Sequence, residues 1–145
     1  MNPFSALHKK CNTGTSAEKY ANLQEGPRIV DVELVGLCNF RCTMCPTGLG
    51  ALGRPSGFMD KSTHAKILEL TDFHSSAIRY IGWGEPTMHS LLPEFISAAN
   101  ERGRLTHLNT NGSKMTSDLA HSLVEAGLTS IKFSFQGTDR ETFSA

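Results

Sequence analysis

From residue 28 onward, short apolar runs alternate with segments whose apolar residues recur at helical spacing. Residues 29–35 read as a strand, and 60–72 as a helix with Ile67, Leu68 and Leu70 as its apolar positions. Asp60 or Ser62 supplies that helix's N-cap. A short strand over 77–81 leads into a helix over 91–102. Pro93 is tolerated in its first turn and Gly103 follows its end. Residues 105–108 form a third strand, and 117–126 a third helix closed by Gly127, with Leu119, Leu123 and Val124 facing the core. A fourth strand over 130–135 and the opening of a fourth helix over 139–143 complete the pattern.

Strand, loop and helix thus recur four times. That order predicts an α/β fold, a parallel sheet of alternating β/α units joined by helical crossovers. Ligands of such sheets gather at the C-terminal ends of the strands. Every unusual motif of the chain falls there: a cysteine-rich loop, Gly82-Trp83-Gly84-Glu85-Pro86, Asn109-Thr110-Asn111-Gly112, and Ser134-Phe135-Gln136-Gly137. Residues 1–27 are polar and mixed and read as an N-terminal lead-in, with Glu25-Gly26-Pro27 as the break before a domain over 28–145.

Composition narrows the function classes. The 145 residues suit one domain, and 14 Lys+Arg balance 14 Asp+Glu, so no global charge points to nucleic acid or an anionic membrane. No apolar run is long enough to span a bilayer, and the first residues lack the apolar core of a signal peptide. A cytoplasmic setting is therefore expected. Thiols stay reduced there, which favours metal or cluster ligation over disulfides.

Three of the four cysteines, Cys38, Cys42 and Cys45, share one loop with C-x3-C-x2-C spacing, while Cys11 stands apart as a spare thiol. Thiolates select zinc or iron–sulfur centres. Structural zinc wants four ligands in a closed tetrahedron, and none of the six histidines has finger-like spacing to the triplet. His64, His74, His107 and His121 are scattered, and His89 is expected to cap or solvate the second helix. A four-iron cluster also usually takes four cysteines, so a missing fourth ligand implies an exogenous chelator on one iron.

At these residues the chain resembles the radical S-adenosylmethionine (radical SAM) enzymes, which carry this cysteine loop after their first strand. The resemblance runs from about Arg28 to Phe143. It implies that Cys38, Cys42 and Cys45 hold a [4Fe-4S] cluster and that S-adenosylmethionine chelates the fourth iron. Reductive cleavage would then give a 5′-deoxyadenosyl radical that abstracts a hydrogen from a substrate.

Gly82-Trp83-Gly84-Glu85-Pro86 resembles the family's Gly-Gly-Glu-Pro motif, whose carbonyls accept from the methionyl ammonium; Trp83 departs from it. Taken alone, it would be an ordinary strand-to-helix turn. The same resemblance implies cofactor contacts for Met44, Gly82, Gly84, Glu85, Thr110 and Ser134. Thr110-Asn111-Gly112 alone reads as a plain Asn-Gly turn. The segment 54–60 is similar to a loop of members with a further cysteine-rich cluster domain.

The fold implied is a radical SAM partial (β/α)6 barrel of which about four units are present. The reading favoured is the N-terminal part of a longer enzyme. A second chain that completes the barrel, or a non-catalytic metal or iron–sulfur module, are the alternatives. An electron donor such as flavodoxin or ferredoxin and a substrate of unspecified class are the implied partners.

Overall fold

The computed structural model describes residues 2–21, 27–72, 76–137 and 139–144. The elements in chain order are α1 (Ser5–Asn12), α2 (Ser16–Ala21), β1 (Ile29–Val32), α3 (Lys61–Leu70), β2 (Ala77–Tyr80), α4 (Leu92–Glu101), β3 (Leu105–Thr110), α5 (Ser117–Glu125), β4 (Ser130–Phe133) and α6 (Arg140–Ser144). The four strands form one parallel sheet in sequential order, β1-β2-β3-β4. Alternating strands and helices thus build the α/β sheet expected from the pattern.

Residues of alternate parity separate the two faces of the sheet. Val32, Ile78, Tyr80 and Leu108 pack with Leu68 of α3, Phe95, Ile96 and Ala99 of α4, and Leu123 of α5 in one apolar cluster. The other parity is more polar. Asp31, Arg79, His107 and Ser130 stand in one register row across all four strands. Arg79 grips Asp31 with two hydrogen bonds at 2.6 and 2.7 Å, and His107 Nδ1 meets Ser130 Oγ at 2.6 Å.

Local chemistry sets the element ends. Asp60 caps α3 by accepting from the Thr63 N–H at 2.7 Å, and Thr116 caps α5 through Leu119. At the other end of α3, buried Arg104 donates to the Leu68 carbonyl, Thr71 Oγ1 and Asp72. His89 is buried rather than solvated. Its Nδ1 accepts from the Leu91 N–H at the start of α4, and Nε2 donates to the Met59 carbonyl at 2.8 Å.

Several expectations need correction. β1 ends at Val32 rather than residue 35, because the chain leaves the sheet to pair with the loop before α3. Met59 N–H donates to the Leu34 carbonyl, and Val35 bridges antiparallel to Phe58. β3 runs two residues further than predicted, to Thr110, and β4 stops at Phe133. Leu70 and Val124 are exposed, at 68% and 73%, since each follows the turn of its helix past the buried stripe.

The lead-in is not simply loose. It holds α1 and α2, and Phe4 and Leu7 pack against Ala77, with Ile29 and Leu105 beside them. The Glu25-Gly26 break, His74 and the Cys11 side chain lie outside the described residues. Beyond β3, the fourth strand exposes Ile131 and Phe133, and Phe135 follows it at 72% exposure.

A buried histidine gives the core a pH response. Tyr80 Oη donates to the Phe95 carbonyl at 2.8 Å, so His64 must donate its Nε2 hydrogen to Tyr80 across 3.0 Å. Burial, then the nearby His89 and Arg102, push the His64 pKa down to about 4 from an ordinary 6.5. The unfolded imidazole takes up its proton near 6.5 and the folded one only near 4. Stability from this group is therefore complete above pH 6.5 and drains away as pH falls toward 4. Urea midpoints taken across that window are expected to fall on acidification, and His64→Gln should flatten the slope.

Candidate functional site

Three loops meet at the C-terminal rim of the sheet. The first follows β1 and carries the cysteines. Cys38, Cys42 and Cys45 are free thiols, each partly exposed. The loop turns tightly on itself: Cys45 N–H donates to the Cys42 carbonyl at 3.1 Å, and Leu49 N–H to the Cys45 carbonyl at 3.0 Å. A Cβ on Gly48 would strike the Cys42 backbone, 2.7 Å from its nitrogen, so only glycine closes the loop. Hydrogen bonding from the Gly48 N–H, with lesser help from Thr47, holds the Cys45 thiol below its ordinary pKa, which favours the ligating thiolate.

The second loop follows β2. A Cβ on Gly84 would land in the Val35 carbonyl, so this turn lies directly on the backbone that leads into the cysteines. Glu85 N–H donates to the Leu37 carbonyl at 2.8 Å, and Thr47 Oγ1 donates to the Trp83 carbonyl at 2.7 Å. The two loops are thereby stitched together on both edges of the turn.

Glu85 points inward. Its carboxylate is 3% exposed and accepts from Thr87 N–H and Oγ1, from Thr110 Oγ1 at 2.6 Å, and from Asn111 N–H at 2.7 Å. Glu85 and Thr110 bond one another, with the Thr110 hydroxyl also accepting from Gly112 N–H. The Glu85 side chain therefore anchors the second loop to the third.

That third loop, after β3, reaches the cysteines through Asn111. Ser113 N–H and Oγ occupy the Asn111 Oδ1, which turns the amide nitrogen toward Cys38 Sγ at 3.8 Å and Asn39 Oδ1 at 3.1 Å. Asn39 donates in turn to Ser113 Oγ. Ser134 sits just past β4 with its side chain exposed, tied to the rim by its N–H on the Thr110 carbonyl at 2.8 Å. Met44 stands 73% exposed on the cysteine loop, and Trp83 on the turn after β2 is half-exposed.

Sequence reasoning missed Glu33, Thr47 and Asn111 as ties between these loops, and Thr87 as a partner of Glu85 within the second. Only Asn111 carried a signal, as part of the Thr-Asn-Gly turn. Glu33 looked like one polar position in a strand, yet its Oε1 accepts from Trp83 N–H.

Among the described residues, no three His, Cys, Asp or Glu side chains converge on a point that could hold a single metal ion. Thiolates on a cubane bind different irons and need not converge. Three reduced thiols on one glycine-closed loop are the donor set that such a cluster takes.

A parallel β/α sheet with thiols and a glycine turn on one rim is an α/β protein of the partial-barrel class. The chain belongs to the radical SAM superfamily, whose family model matches residues 32–144. It is 33% identical over 105 residues to the Fe-coproporphyrin III synthase of Methanosarcina barkeri, covering 72% of this chain and 26% of that protein. It is 32% identical over 120 residues to the 7,8-dihydro-6-hydroxymethylpterin dimethyltransferase of Methanocaldococcus jannaschii, covering 79% and 23%. The chain thus spans about a quarter of the length of these relatives.

In fold it matches BtrN in an open conformation, with a TM-score of 0.67 at 22% identity over 83% of this chain and 56% of that one. The structure of BtrN in complex with AdoMet and 2-DOIA gives a TM-score of 0.66 at 20% identity, over 84% and 56%. The family's cofactors are a [4Fe-4S] cluster and S-adenosylmethionine. No helix among the described residues is long and apolar enough to cross a membrane.

Proposed function

We propose that this chain carries the cluster- and S-adenosylmethionine-binding half of a radical SAM enzyme, residues 28–145 forming that part of the core domain. Cys38, Cys42 and Cys45 would each hold one iron of a [4Fe-4S] cluster and leave the fourth for S-adenosylmethionine. When bound, the cluster supplies the electron that cleaves the sulfonium and so generates the radical that takes a substrate hydrogen.

The chain's own residues bind and orient. The Gly82 and Trp83 carbonyls, on the turn stacked over the Val35–Leu37 backbone, receive the methionyl ammonium. The Ser134 hydroxyl would bond the methionyl carboxylate, and Met44 would offer its backbone and apolar surface to the adenine. Glu85 and Thr110 act by fixing the two turns to each other. A low-potential donor of flavodoxin or ferredoxin type would supply the electron, and a second chain or further segment would shape the substrate wall.

The observation that carries this reading is the lacing of all three rim loops around the cysteines, through Thr47 to Trp83, Glu85 to Thr110, and Asn111 to Cys38. Anaerobic reconstitution of the full chain with iron and sulfide tests it. The expected result is matched iron and sulfide, and a reduced-cluster spin-resonance signal that changes when S-adenosylmethionine is added. One tightly held zinc without sulfide, or a cluster indifferent to S-adenosylmethionine, would overturn it.

A further inference from the structure

The Gly82–Glu85 turn is held by two carboxylates, and only Glu85 belongs to the motif. The other comes from Glu33, the first residue past β1. Its Oε1 accepts from Trp83 N–H at 2.6 Å and from Gly84 N–H at 3.2 Å, while Oε2 pairs with Arg54 at 2.5 Å. A Cβ on Gly82 would lie 2.5 Å from the Glu33 Cγ and Oε1. Gly82 is thus the place where the Glu33 side chain passes beneath the turn.

The consequence follows from peptide planarity. In a trans peptide the C=O points opposite to the N–H of the same unit, and the chain has no cis peptide among the described residues. The Trp83 N–H shares its unit with the Gly82 carbonyl, and the Gly84 N–H shares its unit with the Trp83 carbonyl. By drawing both N–H groups to one oxygen, Glu33 turns both carbonyls to the far side. The Trp83 carbonyl there meets Thr47 of the cysteine loop at 2.7 Å. One side chain therefore turns two acceptors away from itself, and one of them, the Trp83 carbonyl, faces the cysteine loop.

We propose that Glu33 is the positioning residue that presents the Gly82 and Trp83 carbonyls to the methionyl ammonium of S-adenosylmethionine. This rests on the functional reading above. Arg54 balances the charge on the second oxygen, but both partners of that pair are partly exposed, so it contributes little to the aim.

The test compares Glu33→Gln, Glu33→Asp and Glu33→Ala in the reconstituted full chain, with S-adenosylmethionine as the titrant and iron and sulfide measured first. Gln keeps an acceptor for both N–H groups and should bind within about threefold of wild type. Asp is one methylene short and Ala offers nothing, so both should bind about tenfold or more weakly. Their cluster content and unfolding cooperativity should stay as in the wild type, and amide exchange at Trp83 and Gly84 should speed up only in these two. Asp and Ala variants that bind like wild type overturn the proposal alone. So do variants that lose affinity only in step with cluster or fold. A fully loaded wild type that binds no S-adenosylmethionine overturns the functional reading, and this proposal with it. Should the Ala variant not fold, Asp against Gln decides.

Discussion

Replacing Gly84 with alanine is expected to destabilise the chain by about 3 kcal/mol, the upper range for overpacking against atoms that cannot swing aside. The new methyl would meet only backbone: the carbonyl of Val35, and the Leu37 carbonyl at 2.8 Å. Relief requires parting the turn after β2 from the segment that feeds the cysteine loop. That movement also breaks the Glu85 N–H bond to the Leu37 carbonyl. Gly57→Ala makes the control, since a Cβ there meets nothing within 4 Å and its φ is not positive. It should change stability by no more than about 0.5 kcal/mol. Urea unfolding of both variants checks the pair. Equal midpoints for the two would show that the turn and the Val35 backbone are not in contact.

Gly84 illustrates what was legible in the sequence. Its place in a Gly-x-Gly-Glu-Pro motif marked it, and short-range patterning placed the four β/α units around it. Apolar runs such as Ala77 to Ile81 read directly as strands because both of their faces are covered. Boundaries were harder. Residues 33–35 continue the alternation of a strand, but the partner that takes Leu34 and Val35 is the Phe58–Met59 segment, and pairing with a distant loop leaves no trace in local periodicity.

The same limit hid the ties of the site. The cysteines announce their chemistry by residue type and spacing. Glu33 and Thr47 do not, because each acts on backbone groups 36 to 51 residues away. Glu85 was legible as a motif residue but not in its orientation. A family pattern says that a carboxylate is present, and only packing says that it faces Thr110 rather than the rim.

That orientation makes Glu85 the site of the second large effect. All four of its partners are donors: Thr87 N–H at 3.0 Å, Thr87 Oγ1 at 2.5 Å, Thr110 Oγ1 at 2.6 Å and Asn111 N–H at 2.7 Å. Hydroxyls can rotate to other acceptors, but the two backbone N–H groups cannot. Glu85→Ala should therefore cost about 4 kcal/mol, the sum of two orphaned donors and the space left behind. Glutamine is no conservative replacement here. Its oxygen can serve the three donors now on Oε1, which leaves its amide nitrogen facing the Asn111 N–H, donor against donor. A loss of about 2 kcal/mol is expected for Glu85→Gln. Because Asn111 reaches Cys38 through its side chain, both variants should also retain less cluster after reconstitution, with alanine the worse of the two. Urea midpoints and iron content measured on the same samples give the ranking. A glutamine variant as stable as the wild type would mean that Asn111 does not donate to this carboxylate, and that the turns after β2 and β3 are held together by something else.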